Sequence, residues 1–240
     1  MGVVRTLLHL QQGQQRRHTG LSRTGTAWIW GTAVRLHRTG WIGGDFANTN
    51  FSSNIEDLLH AATYLRDSFT DPVLLIGHSL GGAAVLAAAG YLPEVRAVAT
   101  IGAPANPAHV SRLFGDRRAE IERAGQAEVR IGGRTFRIRR QFLDDIAMQP
   151  QAERIARLRR PLLVMHSPTD EIVDVDNARH IFDTARHPKS FISIDGADHL
   201  LSRRRDAEFV ASLLAAWAER YIEGPAPSDS RKQPGPVPRP

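Results

Sequence analysis

Apolar positions recur through residues 53–66 at steps of three and four. Ile55, Leu58, Leu59, Ala62 and Leu65 fall on one face, and Ser53 or Asn54 stands where such a helix is capped. Asp71-Pro72 then reads as a turn. Val73-Leu74-Leu75-Ile76 follows, an unbroken apolar run of the kind that forms a strand buried on both faces. Residues 83–89 are rich in alanine and predict a helix. Further apolar runs at 97–101, closed by Gly102-Ala103-Pro104, at 162–165 and at 190–194 predict three more strands, and residues 206–221 predict a closing amphipathic helix. Short buried strands alternating with helices predict an α/β fold, a mostly parallel sheet with helices on both faces.

Between residues 107 and 158 that alternation breaks. Helical patterns at 109–114 and 118–124 lead into residues 128–138, which alternate on both sides of Gly132-Gly133 and so predict a hairpin. Helical sequence resumes over 141–157, interrupted at Pro150. The segment reads as an insertion between sheet strands, expected to form a small cap, and its hairpin is read equally as a lid or as a contact in a homodimer.

The two ends are different in kind. Residues 1–44 show no period and carry six arginines with no Asp or Glu; within them only residues 29–36 suggest a strand. Residues 224–240 hold six prolines and predict a disordered tail. The formal net charge of +6 is concentrated in these ends, and residues 45–223 are close to neutral, which argues against a nucleic-acid-binding face. The absence of cysteine excludes disulfides and thiolate metal sites. No apolar run approaches the ~20 residues of a membrane span. No apolar core separates Arg5, Arg16 and Arg17, so the chain has no convincing signal peptide and a cytoplasmic location is expected. The expected organisation is a non-matching segment 1–43, one domain over 44–223, and the tail 224–240.

The chemistry concentrates at Gly77-His78-Ser79-Leu80-Gly81-Gly82, directly after the first apolar run and before the alanine-rich segment. A G-x-S-x-G sequence between a strand and a helix is a nucleophile elbow. The turn is so tight that Gly77 and Gly81 must leave room for it, and it lifts the Ser79 hydroxyl to the top of the sheet. A serine hydroxyl needs a base to take its proton, and the base is oriented by a carboxylate. The chain order nucleophile, acid, histidine is met by Asp170, after the third run, and His199, after the fourth. Glu171, Asp174 and Asp198 are the competing carboxylates. The backbone N–H of Leu80 is the expected oxyanion donor, and its usual second partner is not found in the sequence. His78 is expected to pack around the elbow, His166 to pack at its strand end, and His180 to lie on a solvated helix.

From Gly44 to about Tyr221 the chain closely resembles the α/β-hydrolase domain of bacterial fusion proteins that carry a C-terminal OsmC-like domain. The resemblance rests on GDFANTNFSSN, LLIGHSLGGAAVLAAAG, VATIGAPANPAHV, RQFLDD, HSPTDEIV and GADHLLSRR. It implies an α/β-hydrolase fold and the triad Ser79, Asp170 and His199. It leaves the substrate open, and the OsmC-like domain with its peroxide-reducing cysteines is not part of this chain. The expectation is a serine hydrolase that cleaves a small or medium acyl ester, thioester or amide through an acyl-enzyme. No metal, organic cofactor, nucleic acid or membrane is expected. The alternative is a catalytically silent hydrolase fragment lacking a complete oxyanion hole.

Residues 1–43 fall outside the resemblance. The family carries there a loop like C-F-T-C-S-K-D and a strand like R-F-D-F-T-G-L-G. Residues 33–40 can be encoded GCG GTT CGA CTT CAC CGG ACT GGN, which one base later reads R-F-D-F-T-G-L. Residues 8–14 can be encoded CTT CAC CTG CAG CAA GGA CAA, which with the same shift reads F-T-C-S-K-D. Residues 1 to about 43 therefore read as an out-of-frame translation, with the frame restored near Gly43-Gly44. On this reading the N-terminal strands are missing or scrambled, leaving residues 73–76 an exposed apolar edge.

Overall fold

The protein, a computed structural model, is described over residues 26–29, 32–35, 46–131 and 134–222. Most of the expected out-of-frame segment 1–43, and all of the Pro-rich tail 224–240, lie outside the described residues. In chain order the elements are β1 (Thr26–Ile29), β2 (Thr32–Arg35), α1 (Phe51–Ser68), β3 (Leu74–His78), α2 (Leu80–Ala88), β4 (Ala97–Ile101), α3 (Arg117–Ala124), β5 (Gln126–Ile131), β6 (Arg134–Arg139), α4 (Arg140–Ala147), α5 (Gln151–Arg157), β7 (Leu162–His166), α6 (Asp176–Thr184), β8 (Lys189–Ser193) and α7 (Arg204–Ile222).

The main sheet has the order β2-β1-β3-β4-β7-β8. Strands β3, β4, β7 and β8 run parallel. The expected single strand at 29–36 is instead the pair β1 and β2, antiparallel to each other. β1 also pairs antiparallel with β3, in the register Trp28↔Ile76, so the β3 edge expected to be bare is covered. Two residues separate the two strands, which favours a hairpin over one continuous strand.

Because strand side chains alternate, each apolar run supplies both faces of the sheet. Leu75, Val98, Leu162 and Val164 pack with Leu58 of α1 and Val85 of α2 on one side. Leu74, Ile76, Ala99, Leu163 and Met165 pack with Val210 and Leu214 of α7 on the other. Each such fully buried Leu or Val contributes on the order of 1.5–3 kcal/mol.

α1 begins earlier than the sequence pattern predicts. Phe51 is fully buried, and extending the helix by a turn seats it in the core. Asn50 rather than Ser53 or Asn54 is the cap: Ser53 N donates to Asn50 Oδ1 at 2.7 Å, and Asn50 N donates to Ser53 Oγ at 3.0 Å. The segment expected as a helix at 109–114 is a 3-10 stretch over Pro107–Phe114.

The insertion after β4 forms a compact unit with its own two-stranded sheet, β5 against β6. Polar contacts lock it to the body. Asp145 of α4 accepts from Ser52 N at 2.8 Å and from Ser52 Oγ at 2.5 Å, placing a carboxylate on the first turn of α1. Buried Gln151 donates to the Ala83 carbonyl at 2.8 Å, and Arg139 donates to Asn48 at 2.6 Å. Among the described residues no helix is long and apolar enough to cross a membrane.

Candidate active site

Parallel strands deliver their following loops to one edge of a sheet. Ser79 follows β3, Asp170 follows β7 and His199 follows β8, so the three meet despite separations of 120 residues between Ser79 and His199 and 29 between Asp170 and His199. Ser79 sits at φ 55°, ψ −132°, a conformation that non-glycine residues rarely adopt. The turn is closed by Ser79 N donating to Ile101 O at 2.9 Å and Gly82 N donating to Ser79 O at 2.8 Å. A Cβ on Gly77 would lie 2.3 Å from Gly81 O and 2.5 Å from Gly82 Cα, so the chain closes on itself only with glycine there. Leu80 opens α2, where backbone N–H groups have no partner within the helix and the helix dipole is positive.

The Ser79 hydroxyl lies 3.0 Å from His199 Nε2. On the other side of the ring, Nδ1–H donates to Asp170 Oδ2 at 2.7 Å. Asp170 Oδ1 accepts from Ile172 N and Val173 N, both at 2.9 Å. Burial pushes the Asp170 carboxyl up, but the bond from His199 and the two backbone donors outweigh it and hold the group below the usual carboxylate range. Two of the competing carboxylates are engaged elsewhere, and the third lies on a cavity wall. Asp198 accepts from Ser202 N and Oγ, Asp174 accepts from Asp176 N at 2.8 Å, and Glu171 lies on a cavity wall.

That cavity, of about 400 Å³, opens between the loops after β7 and β8 and includes Thr169, Glu171, Ile172, Asp198, His199 and Leu200 in its lining. Gly102, at φ +54°, lies against the Asp170–His199 pair: a Cβ there would stand 3.3 Å from both Asp170 Oδ2 and His199 Nδ1. Among the described residues no cluster of His, Asp or Glu is arranged to hold a metal ion.

Two further histidines, His78 and His166, touch the residues of this site in ways the sequence did not disclose. His78 does more than pack: its Nε2–H donates to the His199 carbonyl at 2.6 Å, with the two rings 4.9 Å apart. Burial, and then the neighbouring His199, push His78 down to about 4. His166 is fully buried; its Nε2–H donates to Val173 O at 2.7 Å and lies 3.6 Å from Asp170 Oδ2. Burial lowers its pKa, and its Nδ1 has no partner among the described residues. His109, in the 3-10 stretch of the insertion, contacts Asn177 Oδ1 at 3.0 Å, an atom that also accepts from Ala105 N. His180 is exposed on α6. The one available signal for His78 was its position, a ring directly beside Ser79.

A model of the alpha/beta hydrolase family matches residues 18–213. Among solved structures, the esterase domain of a Rhodothermus marinus protein is 52% identical, with a TM-score of 0.62, covering 74% of this chain and 72% of that one. Est1E from Butyrivibrio proteoclasticus, in a structure with ferulic acid bound, is 17% identical, with a TM-score of 0.64 over 75% of this chain and 72% of that one. Alpha/beta hydrolase domain-containing protein 10 from mouse is 22% identical, with a TM-score of 0.58 over 74% and 72% of the two chains. The last two likenesses are of fold alone. No curated protein matches the chain.

Proposed function

The chain belongs to the alpha/beta hydrolase family, and from that membership we propose that it is a serine esterase acting through an acyl-enzyme. Ser79 is the nucleophile. His199 takes its proton during attack and returns it to the leaving group, and Asp170 holds the imidazole with Nδ1 protonated and stabilises the imidazolium. The Leu80 N–H, at the start of α2, supplies one oxyanion donor. The observation that carries the reading is the unbroken relay Ser79 Oγ, His199, Asp170 at 3.0 and 2.7 Å.

The substrate class is an ester, thioester or amide of a small or medium acyl group. The esterase domain at 52% identity supports ester over amide. The site asks for no metal or organic cofactor. On the sequence reading the enzyme is cytoplasmic and related to the hydrolase domains fused to OsmC-like domains. The out-of-frame reading of residues 1–43 predicts that DNA sequenced upstream of the Asp45 codon yields C-F-T-C-S-K-D and R-F-D-F-T-G-L-G one base later; a sequence without them removes that reading.

A fluorophosphonate probe tests the assignment directly. The folded protein is expected to label on Ser79, and Ser79→Ala is expected not to label. Folded protein that stays unlabelled would overturn the proposal.

A further inference from the structure

We infer that His78 is a positioning residue, which fixes the distance between nucleophile and base by holding the His199 backbone; the inference rests on the hydrolase reading above. His78 and Ser79 are consecutive, and each bonds His199. The Ser79 hydroxyl meets the ring at Nε2, 3.0 Å away, and the His78 Nε2–H meets the main-chain carbonyl at 2.6 Å. The base is therefore gripped at both ends by one dipeptide.

The grip has a purpose in the mechanics of the loop. His199 lies beyond β8, outside any regular element. The loop is tied to the β7 side by Ser167 Oγ, which donates to Ala197 O at 2.6 Å, and closes on itself through Leu201 N to Asp198 O at 3.0 Å. Neither contact refers the loop to the elbow. The His78 bond does, directly from the residue beside the nucleophile. The carbonyl oxygen only accepts, so His78 carries a proton on Nε2. The His78 ring also packs against the His199 ring, at 4.9 Å between centroids and 44° between planes. A displacement of about 1 Å between reacting groups costs on the order of 10²-fold in rate.

Two substitutions separate the donor from the ring. Gln places its amide nitrogen the same number of bonds from Cβ as His Nε2, and Phe keeps a ring without a donor. His78→Phe is expected to lower kcat on a p-nitrophenyl ester by about 10-fold to 10²-fold, with KM changed by less than about twofold. His78→Gln is expected to keep kcat within about threefold of the parent. The low-field proton NMR signal of the His199 Nδ1–H is expected to survive in His78→Gln and to broaden away in His78→Phe. Should His78→Phe fail to fold, His78→Asn, whose shorter amide cannot reach the carbonyl, takes its place with the same expected losses. Parental kcat and signal in the donor-free variant, or a loss in His78→Gln as large as in His78→Phe, would overturn the inference. If the parent cleaves no ester, the hydrolase reading fails, and the proton signal still decides whether His78 holds His199.

Discussion

Asp170 is ionised because its oxygens are bonded on both sides. Ile172 and Val173 supply two backbone donors to Oδ1, and His199 supplies a third to Oδ2. Asp170→Asn keeps the shape but presents an amide N–H to the ring, which favours the tautomer with Nδ1 bare and Nε2 protonated. That tautomer cannot accept the Ser79 proton, so kcat is expected to fall on the order of 10³–10⁴-fold while the melting temperature moves little. Steady-state kinetics with a calorimetric melt check both halves. His78 gives a pH prediction of definite sign. Its folded-state pKa, about 4, lies below the 6.5 of a free imidazole, so the unfolded chain binds more protons between these values. Its stabilising contribution is complete above the unfolded value and is lost as pH falls towards the folded one. His78 as a residue is half-buried, so the loss is at most about 3 kcal/mol. Buried His166 acts in the same direction. Urea denaturation at pH 7 and pH 4.5 should show the loss, and His78→Gln should show a shallower one.

Single elements carry the turn and the insertion. Gly77→Ala would force a Cβ to within 2.3 Å of a backbone oxygen, so the β3–α2 junction must open. The expected result is destabilisation of several kcal/mol and loss of activity, read by denaturation and ester hydrolysis. Asp145→Ala removes a carboxylate from the first turn of α1 and leaves Ser52 N without its acceptor. A loss of about 1–2 kcal/mol is expected by urea denaturation, with a smaller effect on chemistry than Asp170→Asn. The elements whose apolar patterns are strong were legible in the sequence. β4 is at the expected residues, and β3, β7 and β8 lie within two residues of the expected ends. Phe51 was not legible as part of α1, because a lone aromatic ahead of two serines gives no period; its burial follows from tertiary packing. The polar ties from Ser52, Gln151 and Arg139 were likewise hidden, since each joins residues more than sixty positions apart.

At the scale of the molecule, the parallel core strands bring the site together at one sheet edge. The order of serine, carboxylate and histidine along the chain pointed to Ser79, His199 and the loop that holds Asp170 before any distance was known. What the order could not separate was Asp170 from Glu171, Asp174 and Asp198. Only the turn after β7 decides that, by aiming Asp170 at His199 and leaving Asp198 to Ser202. The antiparallel seat of β1 on β3 was also not legible, because residues 1–44 have no period from which to read it. As the proposed nucleophile, Ser79 forms a covalent bond to the acyl group during turnover. The most direct measurement is mass spectrometry of the protein quenched during turnover of p-nitrophenyl acetate. One added acetyl group is expected, mapped to the peptide containing Ser79 and absent from Ser79→Ala. Ester turnover with no acetylated Ser79, or with unchanged turnover by Ser79→Ala, would contradict it.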